Sequence, residues 1–201
     1  MRITLLDLGI GNLHSLGKAL AQVVPGSTVS VETDAARALQ TDLLVLPGVG
    51  AFSAAASRLA PGRAAVRAAI DGGLPCLGIC IGMQLMFDAS DEGPGEGLSI
   101  FAGRVTRLTT ARAPHMGWSP IRPAPDAPAW VARGTRGVYY AHSFACRPAD
   151  PSVVLATTDL DGDSFPAIVK KGRVGGCQFH PEKSSTDGLA LLGAIAQELA
   201  S

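Results

Sequence analysis

Charge is scarce in this chain, and what there is cancels. Asp, Glu, Lys and Arg make up 17% of the 201 residues, against about 25% in an average globular protein. Basic and acidic residues balance at 17 each, so the net charge is zero. A general nucleic-acid binder would carry a basic footprint, and none is present. An acidic disordered chain is excluded on the same count. No run approaches 18 uninterrupted apolar residues, so no segment reads as a membrane span. Residues 1–7, MRITLLD, meet an acid too early for a signal peptide and read as a first strand. The four cysteines, Cys76, Cys80, Cys146 and Cys177, lack the spacing of a disulfide framework. They are expected as reduced thiols in a cytoplasmic protein. There is no C-x-x-C and no H-x-x-x-H, so no metal site is expected. No G-x-x-x-x-G-K-[ST] occurs either, which excludes a P-loop. No cofactor is implied.

Short apolar runs and helical stretches alternate through the first half. Strands are expected over 3–7, 28–32, 43–46 and 75–79. The 43–46 run is apolar at every position and stops at Pro47, as a strand covered on both faces would. Asn12 is placed to cap a helix through Leu13, Leu16, Leu20 and Val23 that ends near Pro25-Gly26. Ala-rich helices are expected over 54–59 and 63–71, and a further one after Cys80. This order implies a parallel sheet with helices on both faces. The second half reads instead as short strands over 105–108, 118–122, 138–141, 153–158, 167–170 and 173–179. Lys171-Gly172 forms a tight hairpin there, and residues 120–128 read as an exposed Pro-rich loop. A closing helix over 188–199 puts Leu189, Leu192, Ile195, Ala196 and Leu199 on one face. Without a linker, repeat or charge block, 1–201 is expected to be one domain.

Gly78-Ile79-Cys80-Ile81-Gly82 has the G-x-nucleophile-x-G spacing of a nucleophile elbow. A strand turning sharply into a helix strains the middle residue, and glycines on either side keep side chains clear. Cys80 would then stand at the carboxyl end of the sheet and at a helix N-terminus, whose dipole favours a thiolate. The N–H of Ile81 would be an oxyanion donor. A cysteine nucleophile needs a base, and the base needs an orienting group. Gln178-Phe179-His180-Pro181-Glu182 supplies both, because Pro181 ends the strand ladder and puts His180 at its mouth, with Glu182 two residues on. Pro47-Gly48-Val49-Gly50 follows a buried strand, and its glycines let a peptide N–H turn toward the sheet end as a second oxyanion donor. Each segment has a plain structural alternative: a buried cysteine, a capping histidine, an ordinary βα turn. Their joint occurrence is what favours chemistry.

Gly9-Ile10-Gly11, with Glu32 ending the second strand, has the outline of a dinucleotide fingerprint. The third glycine position holds His14, whose ring forbids close helix–strand packing, so that reading is set aside. His115 and His142 are read as structural or substrate-lining rather than catalytic.

The string G-I-C-I-G-M-Q with a distant Q-F-H-P-E resembles the class I glutamine amidotransferases. Further strings spread the resemblance over nearly the whole chain: D-L-G-I-G-N-L-H-S at 7–15, P-G-V-G-A-F at 47–52, P-H-M-G-W at 114–118 and Q-F-H-P-E-K-S at 178–184. The second and third of these sharpen it to the branch of the family that works in histidine biosynthesis beside a separate cyclase. Leu8, Ile81 and Phe144-Ala145-Cys146 depart from the usual pattern without touching Cys80, His180 or Glu182.

The resemblance implies a flavodoxin-like α/β fold, with a central mostly parallel sheet and an antiparallel-rich C-terminal half. It implies that Cys80 attacks the carboxamide of L-glutamine, that His180 shuttles the proton and that Glu182 orients His180. Gln84, one helical turn after Cys80 and on its face, matches the glutamine-binding position. Gly48, Val49, Gly50, Ile81, His142 and Ser143 complete the expected substrate-binding residues. Ammonia would pass to a (β/α)8 cyclase in a heterodimer, since the chain has no second domain for that chemistry. Three other readings stand beside this one: a glutaminase for a different synthase, a cysteine hydrolase or deglycase acting alone, and a catalytically silent subunit.

Overall fold

Two strands of the chain, LLVL at 43–46 and CLGI at 76–79, are buried at every position. Only the middle of a sheet covered on both faces can take such sequences. The computed structural model, which describes all residues except Ile10 and Thr135, puts them there. The first half runs β1 (Arg2–Leu6), α1 (Leu13–Val23), β2 (Thr28–Glu32), α2 (Ala35–Ala38), β3 (Leu43–Leu46), α3 (Phe52–Leu59), α4 (Arg63–Asp71), β4 (Cys76–Ile79) and the short α5 (Ile81–Gln84). The second half runs β5 (Ala89–Ser90), β6 (Gly103–Arg107), β7 (His115–Ser119), β8 (Arg122–Pro123), β9 (Val138–His142), β10 (Phe144–Pro148), β11 (Val154–Leu160), β12 (Asp163–Lys171), β13 (Val174–Cys177) and α6 (Ser185–Ala200).

The main sheet has the order β2-β1-β3-β4-β13-β12-β11-β8. From β2 to β13 the pairings are parallel, and from β13 to β8 antiparallel. The parallel part has the doubly wound 2-1-3-4-5 arrangement, in which ligands bind beyond the carboxyl ends of the strands. Alternation along β3 divides the core between the two faces. Leu43 and Val45 join Leu16 and Leu20 of α1 and Leu192, Ile195 and Leu199 of α6. Leu44 and Leu46 join Ala38 of α2, Phe52 and Leu59 of α3 and Val66 and Ile70 of α4. The expected layers, helices on both faces of a mostly parallel sheet, are therefore present. Asn12 caps α1 as expected, accepting from Ser15 N at 3.2 Å.

The remaining strands form a three-stranded sheet, β10-β6-β5, and the ribbon β7-β9. Here the structure corrects several expectations. The strand expected over 118–122 lies earlier, at His115–Ser119, because Pro120 has no N–H to continue a ladder. Pro123, placed in an exposed loop by the sequence, and Arg122, where the expected strand and loop overlap, pair with Ala156 and Thr157 at the sheet edge. β5, β10 and α2 were not expected. The helix after Cys80 is a single turn, and α6 starts at Ser185 rather than 188. Among the described residues no helix is long and apolar enough to cross a membrane.

Candidate active site

Cys80 joins β4 to α5 with φ 52° and ψ −106°, a conformation that costs a non-glycine residue about 1–3 kcal/mol. Its neighbours hold it there. Cys80 N donates to Cys177 O at 2.8 Å, and Gln84 N donates to Cys80 O at 3.1 Å. A Cβ on Gly78 would lie 2.6 Å from the Gly82 and Met83 backbone, and one on Gly82 would overlap the Leu46 carbonyl. Both glycines of the motif are thus required by contact. Ile81 opens α5, so its N–H has no acceptor within the helix. Burial pushes the thiols of Cys76, Cys146 and Cys177 well above the ordinary cysteine range, which leaves them protonated small hydrophobes.

His180 lies just beyond β13, next to β4 in the sheet, so the topology delivers it to the same end as Cys80. Its backbone is fixed on both sides. His180 N donates to Tyr139 O at 2.8 Å, and Ser184 Oγ donates to His180 O at 2.6 Å while accepting from Tyr139 N at 2.8 Å. Pro181 starts a helical turn that swings Glu182 back, and Glu182 Oε1 lies 3.0 Å from His180 Nδ1. Burial pulls the imidazole pKa down, but the Cys80 sulfur and the Glu182 carboxylate outweigh it and raise it to about 9. The sulfur acts on the ring both as a hydrogen-bonding neighbour and through its charge.

Of the remaining expected residues, Gly50, Ile81, Gln84, His142 and Ser143 line one pocket with Cys80. Gly48 is buried and Val49 is 37% exposed, and neither is among the residues that line it. Three lining residues, Glu92, Ala141 and Phe144, were missed by sequence reasoning. Glu92 Oε2 accepts from Phe52 N at 2.7 Å and so caps α3 from a distant loop. Its setting, DEGPGE, reads as a solvated turn, and no local pattern would have singled it out. Gln84 Oε1 is buried without a partner.

Behind the pocket, His115 and His142 form a buried pair. His142 Nδ1 lies 2.8 Å from Phe144 O, and its Nε2 lies 3.2 Å from His115 Nδ1. A carbonyl only accepts, so Nδ1 of His142 carries the proton and Nε2 accepts from His115. Burial lowers both rings to about 4, reinforced by Arg112 at His115, and at His142 by His115, His180 and Arg147 against the raising effect of its bond to Phe144. Both are neutral structural groups at pH 7, His142 also lining the pocket. Among the described residues no group of His, Cys, Asp and Glu could hold a metal ion.

A doubly wound sheet carrying a cysteine elbow and a histidine–glutamate strand end defines the class. The family model for class I glutamine amidotransferases matches residues 4–192, and the chain belongs to that family. Within it, the chain falls among the HisH subunits of imidazole glycerol phosphate synthase. It is 40% identical to the subunit from Pyrococcus furiosus over 95% of this chain and 96% of that one. It is 43% identical to the subunit from Symbiobacterium thermophilum over 95% and 91%. A crystal structure of a glutamine amidotransferase shares the fold with a TM-score of 0.77 at 20% identity, covering 98% of both chains. A chain in the structure of PurLQS from Thermotoga maritima does so at 0.69 and 21%, with 98% of both covered.

Proposed function

We propose that this chain is the glutaminase subunit of imidazole glycerol phosphate synthase, with Cys80 as nucleophile, His180 as acid and base, and Glu182 as the group that orients His180. The observation that carries the reading is the buried His180–Glu182 contact at the strand end beside the Cys80 elbow. His180 takes the thiol proton, and the thiolate attacks the carboxamide carbon of L-glutamine. The tetrahedral oxyanion falls to the N–H of Ile81 and to one from the Gly48–Gly50 turn. His180 returns its proton to the departing nitrogen, ammonia leaves, and a glutamyl thioester remains. A water activated by His180 then releases glutamate and the free thiol. Gln84 Oε1, buried and unpartnered, is available to an N–H of the substrate, and Glu92 supplies a carboxylate for its ammonium group.

Ammonia passes to a (β/α)8 cyclase subunit in a heterodimer, which makes imidazole glycerol phosphate and an aminoimidazole carboxamide ribotide. The test is glutamate release from glutamine by the chain alone, with the cyclase, and with the cyclase and its ribotide substrate. Release that rises with the liganded cyclase, together with equimolar imidazole glycerol phosphate, is expected. Glutaminase activity indifferent to the cyclase, with no ammonia transfer, would overturn the assignment.

A further inference from the structure

Gln178 is fully buried, and the reaction just described gives its side chain no task. Its amide lies between Gln84 and the sulfur of Cys80. One end is 3.2 Å from Gln84 Nε2, and the other is 3.6 Å from Cys80 Sγ.

Which end faces the sulfur can be settled from the carbonyl of Phe144, which can only accept. That carbonyl lies 2.9 Å from the end of the Gln84 amide, so the Gln84 atom there is Nε2. The same carbonyl takes the Nδ1–H of His142 at 2.8 Å, so two donors converge on its two lone pairs. The Gln84 Nε2 that is fixed in this way also faces Gln178, so Gln178 turns its Oε1 to Gln84. Its Nε2 is left facing Sγ. The backbone of Gln178 is pinned too, its N–H donating to Ala167 O at 2.9 Å.

We propose that Gln178 is a positioning residue for the nucleophile: it presents a fixed N–H to Cys80 Sγ and stabilises the thiolate before glutamine binds. A hydrogen bond to the charged form of a group favours that form, the more so in a buried site with few competing donors. The sulfur has two neighbours, the His180 imidazole whose pKa it raises and the Gln178 amide N–H at 3.6 Å, and only the second has its hydrogen fixed by the surrounding network. The Gln84–Gln178 bond also links the substrate wall to the nucleophile, so a ligand that shifts Gln84 changes the donor offered to Cys80.

The inference rests on Cys80 being the nucleophile, and its test separates the two. Alkylation by iodoacetamide is followed across pH for the full chain, with the modified residue mapped by mass spectrometry. Gln178→Met keeps the shape and removes the donor, while Gln84 keeps its bond to Phe144. The midpoint of the alkylation profile should move up by about one pH unit, a tenfold change. Glutaminase kcat in the presence of the cyclase should fall at least tenfold, with KM changed much less. Gln178→Glu, with acceptors at both ends, should move the midpoint further. A folded variant with the wild-type midpoint would overturn the role of Gln178, whereas failure of the wild-type Cys80 to alkylate would overturn the glutaminase reading instead. Should both variants fail to fold, the wild-type protein labelled with 15N-glutamine decides. The Gln178 side-chain amide must titrate with the alkylation midpoint, and a resonance that ignores it refutes the proposal.

Discussion

Gly82 sits so close to the Leu46 carbonyl that a methyl group on it would overlap the oxygen. This contact seats α5 on the end of β3 and gives the elbow its sharpness, because α5 cannot move away without taking Cys80 with it. Backbone on one side and backbone on the other leave nothing soft to yield. Gly82→Ala should therefore destabilise the chain by about 1–3 kcal/mol or more, the usual range for overpacking. A urea titration measures it, and an unchanged midpoint would show that the helix is not held by this contact.

The strain at Cys80 gives a second expectation. At φ 52° a side chain is costly, and glycine is not. Cys80→Gly and Cys80→Ala both remove the sulfur and should both abolish glutamine hydrolysis. They differ in one Cβ. Cys80→Gly should be the more stable of the two by about 1 kcal/mol, the reverse of the usual order for glycine and alanine. Paired thermal melts decide it: Cys80→Ala equal or superior in Tm would mean that the elbow stores no strain.

How far the site could be read in advance differs from residue to residue. Cys80, His180 and Glu182 stand in strings whose glycines and proline dictate local backbone, so the sequence pointed to them. Gln84 was reached through the family resemblance, with which its place one helical turn after Cys80 agrees. Gln178 lies within the same string as His180, but its task depends on Gln84 and Phe144, 94 and 34 positions away, and no local pattern carries that. Phe144 belongs to β10, whose burial pattern iBBii does not alternate and so gave no strand signal. Glu92 crosses from a polar loop to the N-terminus of α3 by a contact over 40 residues. The parallel half of the fold was legible because β3 and β4 are apolar throughout. The antiparallel half was not, since short strands such as Arg122–Pro123 are decided by their neighbours.

His180 and Glu182 should not be equal in effect. In the proposed mechanism His180 makes both proton transfers, so His180→Ala should approach the loss of Cys80, several orders of magnitude in kcat. Removing the carboxylate leaves base and nucleophile in place, and Glu182→Ala should cost less. It should also lower the imidazole pKa, because one of the groups holding it near 9 is gone. Steady-state rates with the cyclase present test the ranking. Wild-type kcat in Glu182→Ala would end its orienting role.

The histidines also set how stability depends on pH. His115 and His142 are depressed to about 4 in the fold, so below the unfolded value near 6.5 the unfolded chain binds protons that the folded chain refuses. Stability from these two rings is complete above about pH 6.5 and is lost progressively down to about 4. His180 is raised to about 9 and works in the opposite sense. Its contribution is complete below about 6.5 and is lost as pH climbs through 9. Each group contributes a slope of at most about 1.4 kcal/mol per pH unit. A maximum of stability near pH 6–7 follows, with the acid limb weakened in His115→Phe. Denaturant titrations from pH 4 to 9 measure it, and stability that rises steadily through pH 8 would contradict the raised imidazole.

The last expectation concerns the turn after β3. Gly50 has φ +116° and nothing within 4 Å of where a Cβ would stand. Alanine there meets no obstacle, only a backbone conformation it avoids, at a cost of about 1–3 kcal/mol. The pocket wall takes in Gly50 but neither Gly48 nor Val49, and Val49 is 37% exposed. A Gly48–Val49 peptide turned away from the pocket would leave the oxyanion one donor short, which is worth about 10²–10³ in rate. The free chain should then be a poor glutaminase, and the liganded cyclase should activate it by favouring the rotated peptide. Gly50→Ala, by withdrawing the conformation about which the turn pivots, should lower kcat in the liganded complex and leave KM for glutamine nearly unchanged. It should also narrow the gap between the free chain and the complex. Kinetics with and without the cyclase's ribotide measure both. A free wild-type chain as fast as the liganded complex would rule out the switch, and a Gly50→Ala chain activated as fully as wild type would move it away from this turn.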